Sequence, residues 1–248
     1  RINNYVILSK ETESLLKEKL NSRYCGVRTM PEGIRLVGSN HILGSTGLFL
    51  EKESILYTGD YCMTARGVHN GKPVFERCQT LITDGTYAMP GFRFPEFKEV
   101  TSKARVWIGS MLEQGKTVFL TCTSSTGKPQ ELLHLVKGLG YPVYSSLFSS
   151  NKVYLEYGAD LGKFKEEKNV KALPSGAKVV IVHPSHKYGI INERNCMSSC
   201  LGNASGLEYF RVFASNLSQG MKPEEALGEA YDSLFLSRIR EEKGAIHI

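Results

Sequence analysis

Apolar positions follow two periods along the chain, and the change from one to the other marks its organisation. Leu16 and Leu20 stand four apart in the polar run 10–20, directly after Ser9, whose hydroxyl can cap a helix; this predicts a helix over 10–20. Before it, Tyr5-Val6-Ile7-Leu8 reads as a strand. Between Gly33 and Gly59 the text becomes strand-like, with Ile34-Arg35-Leu36-Val37, Leu48-Phe49-Leu50 and Ile55-Leu56-Tyr57-Thr58 separated by Gly, Ser and charged turn residues. Thr80-Leu81-Ile82-Thr83 adds a further strand and leads into a segment broken by Gly85, Pro90 and Gly91.

The helical period returns at Val100, Ala104, Trp107, Ile108 and Met111 and stops at Gly115. The β-branched run Thr117-Val118-Phe119-Leu120-Thr121 follows, then a Ser/Thr/Gly loop. Pro129 opens a helix with Leu132, Leu133 and Val136 that Gly138 closes. This alternation predicts an α/β layer. Residues 163–171 read as a solvated charged connection, 179–182 as a buried strand, and Pro223 as the start of a helix carrying Leu227, Tyr231, Leu234 and Ile239. There is no internal repeat and no low-complexity tract.

Composition narrows the class. With 41% hydrophobic and 23% charged residues among 248, the chain has enough apolar material for a core, which excludes a disordered or fibrous protein. The densest apolar run, 177–182, falls far short of the roughly 20 residues that span a bilayer, so no membrane association and a cytoplasmic location are expected. The six cysteines (25, 62, 78, 122, 196 and 200) form no Cys-x-x-Cys pair and are expected to be reduced thiols. A net charge of +6, from 31 Lys and Arg against 25 Asp and Glu, suits a polyanionic partner without requiring one.

Candidate chemistry gathers at strand ends. Gly38-Ser39-Asn40-His41-Ile42-Leu43-Gly44-Ser45 delivers an imidazole, Tyr57-Thr58-Gly59-Asp60 a carboxylate and Thr83-Asp84-Gly85 a second carboxylate, each beside glycines that permit tight turns. Imidazole and carboxylate from neighbouring strands can bind a borderline-soft divalent ion such as zinc. Asp84 can orient a ligand or move a proton. Each residue also has a plainer reading, His41 as a hydrogen-bonding loop residue and the two aspartates as turn residues. Lys128 stands at a helix start after a hydroxyl-rich loop, where backbone N–H groups and the helix dipole favour anions. His183 and His186 flank Pro184 at the end of the 179–182 strand, as a polar loop or nucleic-acid contact, with Lys187 next to them. His69 and His134 read as structural.

Taken in order, Gly-Ser-x-His-Ile-Leu-Gly-Ser, Leu-Tyr-Thr-Gly-Asp, Asp-Gly-Thr-Tyr-x-x-Pro-x-Phe-x-Phe-Pro, Gly-Lys-Thr-Val-Phe-Leu and Gly-Lys-Pro-Gln-Glu-Leu-Leu resemble the metallo-β-lactamase superfamily. Within it they resemble the β-CASP nucleases, the archaeal mRNA 3′-end processing-factor-like and ligase-associated exonuclease-like proteins. The match is best over 33–137. The resemblance implies an αββα core over 1–105, an inserted α/β cap over 106–205, and a tail, 206–248, that returns to the core. It implies that His41 is a metal ligand, that Asp60 bridges two metals, usually zinc, and that Asp84 opens the cap portion as the supporting acid. Lys128, Gln130, His183 and Lys187 are then expected at the nucleic-acid surface, with RNA or DNA as partner and a homodimer or processing complex as the assembly.

The implied activity is hydrolysis of phosphodiester bonds by a metal-activated water. Its rival is a catalytically inactive paralogue that binds RNA or acts as a scaffold; a small-molecule metallo-hydrolase is disfavoured by the Gly127-Lys128-Pro129-Gln130-Glu131 motif. The family's His-x-His-x-Asp-His cluster precedes the segment matching 5–9, and its closing histidines follow the segment matching 244–248. Residue 1 is arginine. The expectation is therefore an incomplete chain, inactive by itself, whose parent carries the remaining ligands.

Overall fold

A computed structural model describes residues 6–20, 30–69, 72–73, 75–86, 88, 94–122, 124–146, 148–167, 173–182, 241–242 and 245–247. In chain order the elements are α1 (Lys10–Leu20), β1 (Ile34–Gly38), β2 (Thr46–Leu50), β3 (Ile55–Tyr57), β4 (Thr80–Ile82), α2 (Phe97–Glu113) and β5 (Thr117–Thr121). They continue with α3 (Lys128–Val136), β6 (Val143–Ser145), α4 (Ser150–Glu156), β7 (Lys165–Glu166), β8 (Lys178–Val182), β9 (Glu241–Glu242) and β10 (Ala245–His247). The architecture is mixed α/β, with one sheet largely antiparallel and the other largely parallel. Among the described residues no helix is long and apolar enough to cross a membrane.

The chain divides into two units. The first comprises Arg1–Thr86 and Phe148–Leu161, the second Tyr87–Leu147 and Gly162–Ile248. The division after Thr86 comes earlier than the expected boundary near 105, because α2 packs on β5 within the second unit.

In the first unit the sheet order is β1-β2-β3-β4. β1 and β3 both run antiparallel to β2, and β4 runs parallel to β3. The C-terminal ends of β1, β3 and β4 therefore share one edge of the sheet, and the loops that follow them emerge together. Val37, Phe49 and Leu56 are buried on one face, with Phe75 and Cys78 packed against them. Gly47 is required where β2 passes β3, since a Cβ there would lie 2.5 Å from the carbonyl oxygen of Tyr57. The expected strand over 5–8 does not form: Val6 makes an isolated bridge, while Ile7 and Leu8 are irregular and line a cavity instead. Tyr5 lies outside the described residues.

The second unit has the sheet order β7-β6-β8-β5-β10-β9. Every neighbouring pair is parallel except β10 with β9. β8 lies between β6 and β5 and is buried along its whole length, which explains why its sequence is a continuous apolar run rather than an alternating one. Its first residue, Lys178, reaches Thr117 Oγ1 at 3.1 Å and the Gly176 carbonyl at 2.9 Å. α2 buries Ile108 and Leu112, and Arg105 from the same helix donates to the carbonyl oxygens of Leu135 and Lys137 at the end of α3. Part of the stretch expected as a solvated connection, Lys165–Glu166, is an exposed edge strand, where charged side chains are compatible with pairing on one side only. The tail contributes β10 to this second sheet, beside β5, rather than to the first unit. The helix expected after Pro223 falls outside the described residues.

Candidate functional site

His41, Asp60 and Asp84 occupy the loops after β1, β3 and β4, on the shared edge of the first sheet. Nε2 of His41 lies 3.8 Å from Oδ2 of Asp60, with side-chain exposures of 47% and 73%. The two face a cavity of about 330 Å³ lined also by Ile7, Leu8, Ser9, Thr12, Ser39 and Ser45. An imidazole nitrogen and a carboxylate oxygen thus stand together at a partly open surface.

The loop carrying His41 is held from four directions. Inside it, Ser45 Oγ accepts from the backbone N–H groups of His41 at 2.8 Å and Ile42 at 3.1 Å, and donates to the Ile42 carbonyl. Toward the Asp60 loop, Asn40 donates its side-chain amide to the carbonyls of Cys62 at 2.9 Å and Thr64 at 3.2 Å, while the Cys62 N–H returns to the Ser39 carbonyl. Asn40 has φ +56°, a left-handed conformation that Asn tolerates better than most residues. Toward α1, the Gly44 carbonyl accepts from the hydroxyls of Ser9 at 2.7 Å and Thr12 at 2.8 Å, and Ser9 Oγ also caps the helix by accepting the Thr12 N–H. A Cβ on Gly44, whose φ is +77°, would stand 2.7 Å from Thr12 N, so helix and loop meet there only through glycine. Fourth, the Leu43 N–H donates to the hydroxyl of Tyr154 on α4 at 3.1 Å.

Asp84 is placed differently. Its Oδ1 accepts from the Thr86 hydroxyl at 2.6 Å and from the Thr86 N–H at 3.0 Å, closing a tight turn. Those bonds, the hydroxyl first, hold its carboxyl below the usual aspartate range, and His41 adds a smaller electrostatic pull in the same direction. Its backbone N–H lies 3.4 Å from Thr58 Oγ1, which in turn contacts Thr83 Oγ1 at 3.3 Å, so the β3 and β4 loops are joined. Asp84 is ionised at neutral pH and combines the turn role with proximity to His41.

Elsewhere the expectations diverge. Gln130, expected at a nucleic-acid surface, is fully buried: its Oε1 accepts the Gly127 N–H at 2.7 Å and caps α3, so it has no surface to offer. Lys128 is at the α3 start as expected, with its ammonium on Glu131 at 2.7 Å. His183 and Lys187 lie outside the described residues. His69 Nε2 lies 3.1 Å from the Asn40 carbonyl.

The donors at His41 and Asp60 suit zinc by type, since zinc takes imidazole nitrogen and carboxylate oxygen at about 2.0–2.2 Å. Two such ligands of one tetrahedral ion lie about 3.3 Å apart, so the observed 3.8 Å closes with a small movement of exposed side chains. The cavity wall is polar as well: the Ser39 hydroxyl is buried with no hydrogen-bond partner among the described residues. Among the described residues, however, no group of three or more His, Cys, Asp or Glu could hold a metal. The described chain fits part of a metal shell.

Sequence reading missed the supports: Asn40, Ser45, Ser9 and Tyr154. The sequence marks Ser9 as a helix cap but carries no sign that it also anchors the loop, and nothing local to Tyr154 signals a bond to a residue 111 positions away. No family model matches the chain, and no curated protein is similar to it in sequence.

Proposed function

We propose that this chain is part of a metal-dependent hydrolase of nucleic-acid phosphodiester bonds, built on a metallo-β-lactamase-type αββα core with a β-CASP-like cap and working in the cytoplasm on RNA or DNA. The observation that carries this reading is the approach of His41 Nε2 and Asp60 Oδ2 to 3.8 Å at the C-terminal ends of β1 and β3, the two strands that flank β2. His41 presents a ring nitrogen and Asp60 a carboxylate to the same cavity, and together they would hold zinc as two members of its shell. The bound ion would supply the Lewis acidity that activates water toward phosphorus. Asp84, ionised and anchored by Thr86, contributes negative charge beside His41 and accepts protons rather than donating them near neutrality. The +6 charge favours a polyanion, and a homodimer or processing complex is the assembly in view.

The test is zinc binding by calorimetry, together with cleavage of labelled RNA and DNA by a protein that includes the flanking coding sequence. His41→Ala and Asp60→Ala should each weaken zinc binding at least tenfold and abolish cleavage. Zinc affinity unchanged in both variants would overturn the assignment. The rival reading is a catalytically inactive paralogue that binds RNA or acts as a scaffold; retention of RNA by a protein that takes up no metal would decide for it.

A further inference from the structure

We infer that Tyr154 is a positioning residue for His41, acting through the backbone of the loop that carries it. The significance of His41 rests on the function proposed above; the hold on the loop does not. Tyr154 is fully buried, and its hydroxyl accepts the Leu43 N–H at 3.1 Å. Leu43 is itself buried and lies two residues from His41. Its N–H points away from water, and a buried donor left unpaired is strongly disfavoured, so the hydroxyl determines where this part of the loop rests.

The tyrosine is aimed by a fixed helix. α4 packs on α1. Tyr157 on its C-terminal side meets Ser14 of α1 at 3.1 Å, Lys152 pairs with Glu18 at 3.4 Å, and the Ala159 N–H closes on the Tyr154 carbonyl. α1 also grips the same loop at Gly44. The loop therefore sits between two points of one α1–α4 layer, Gly44 on the first helix and Leu43 on the second. His41 is half exposed, so little packing fixes its imidazole. The backbone of the loop sets its distance to Asp60, and Tyr154 is the hold on that backbone at Leu43.

The decisive variant is Tyr154→Phe, which keeps the ring and removes the hydroxyl that accepts the Leu43 N–H. In the full chain it should retain its melting temperature to within a few degrees, while the Leu43 amide exchanges about tenfold faster and the His41 ring resonances move. Zinc affinity should fall several-fold in the wild-type background and not change further in a His41→Ala background. Unchanged exchange at Leu43, or His41 ring resonances that stay in place, would overturn the inference. If the wild-type chain takes up no zinc, the proposed function fails, and the Leu43 and His41 signals still decide the role of Tyr154. If Tyr154→Phe does not fold, 3-fluorotyrosine in the otherwise wild-type chain serves: its fluorine signal at 154 should shift on His41→Ala, and a static signal would overturn the inference.

Discussion

Asn40 donates its side-chain amide to the Cys62 carbonyl at 2.9 Å, and the Cys62 N–H answers with a bond to the carbonyl of the preceding residue, Ser39, at 3.0 Å. This exchange makes the loops bearing His41 and Asp60 a single hydrogen-bonded body.

The first prediction separates two roles of Asn40. Replacement by Ala loses the two side-chain bonds and places an unsuited residue at φ +56°, for a cost of about 2–4 kcal/mol. Asn40→Gly relieves the backbone and loses only the bonds, about 1–2 kcal/mol. Urea denaturation should rank wild type above Gly above Ala; equal losses for Gly and Ala would remove the conformational role.

Gly44 is the second test. An Ala there meets both a left-handed φ and a 2.7 Å approach to Thr12 N and Glu11 Cβ, so the loop or α1 must shift. A loss of about 2–4 kcal/mol is expected. Ser9→Ala, which removes the cap and one bond to the Gly44 carbonyl, should cost only about 1 kcal/mol. A tolerated Gly44→Ala in thermal melts would mean that helix and loop do not meet this closely.

The carboxyl of Asp84 gives a pH signature. Its folded-state pKa is depressed, so its contribution to stability is present above the ordinary aspartate pKa and is lost as pH falls through the lower folded value. Exposure to solvent keeps that contribution small. Carboxyl carbon NMR should show Asp84 titrating below the usual aspartate range, and Thr86→Val, which removes the leading hydrogen bond, should move it upward. A titration that Thr86→Val leaves in place would contradict the assigned cause.

Burial pushes the Cys122 thiol up to about 12, against a small opposing pull from Lys128. At pH 8 roughly one molecule in ten thousand then carries the reactive thiolate at this position. A short pulse of iodoacetamide should leave Cys122 unmodified in the folded protein and alkylate it after unfolding, as read by peptide mass spectrometry. The sign with pH is opposite to that of Asp84: stability is fully present below the ordinary thiol pKa and falls as pH rises toward the folded value. Rapid labelling in the native state would place Cys122 in a different environment.

Much of the scaffold was legible because local rules and packing agree. Ser9 caps α1, Pro129 lies in the first turn of α3, and the unbroken apolar run of β8 is buried between two parallel neighbours. Short elements were not legible. β6 and α4 have three and seven residues, too few for periodicity to register, and Lys165–Glu166 becomes a strand through backbone pairing that side chains do not announce. At the site, the pairing of His41 with Asp60 follows from strand-end positions on one sheet edge. The burial of Gln130 could not be read in that way, because a polar side chain that caps its own helix looks in sequence like one that faces solvent.

The return of Phe148–Leu161 to the first unit also governs the order of events during synthesis. Chain growth at about 5–20 residues per second takes roughly 3–12 s to pass through the 61 residues of Tyr87–Leu147. Throughout that interval the sheet that carries His41, Asp60 and Asp84 has been made, but α4 has not, so the Leu43 N–H waits for its tyrosine. A ribosome that stalls before residue 154 leaves the candidate site without its last anchor, and a gene cut after Thr86 encodes the three strand-end residues with three of the four holds on the His41 loop and without the fourth.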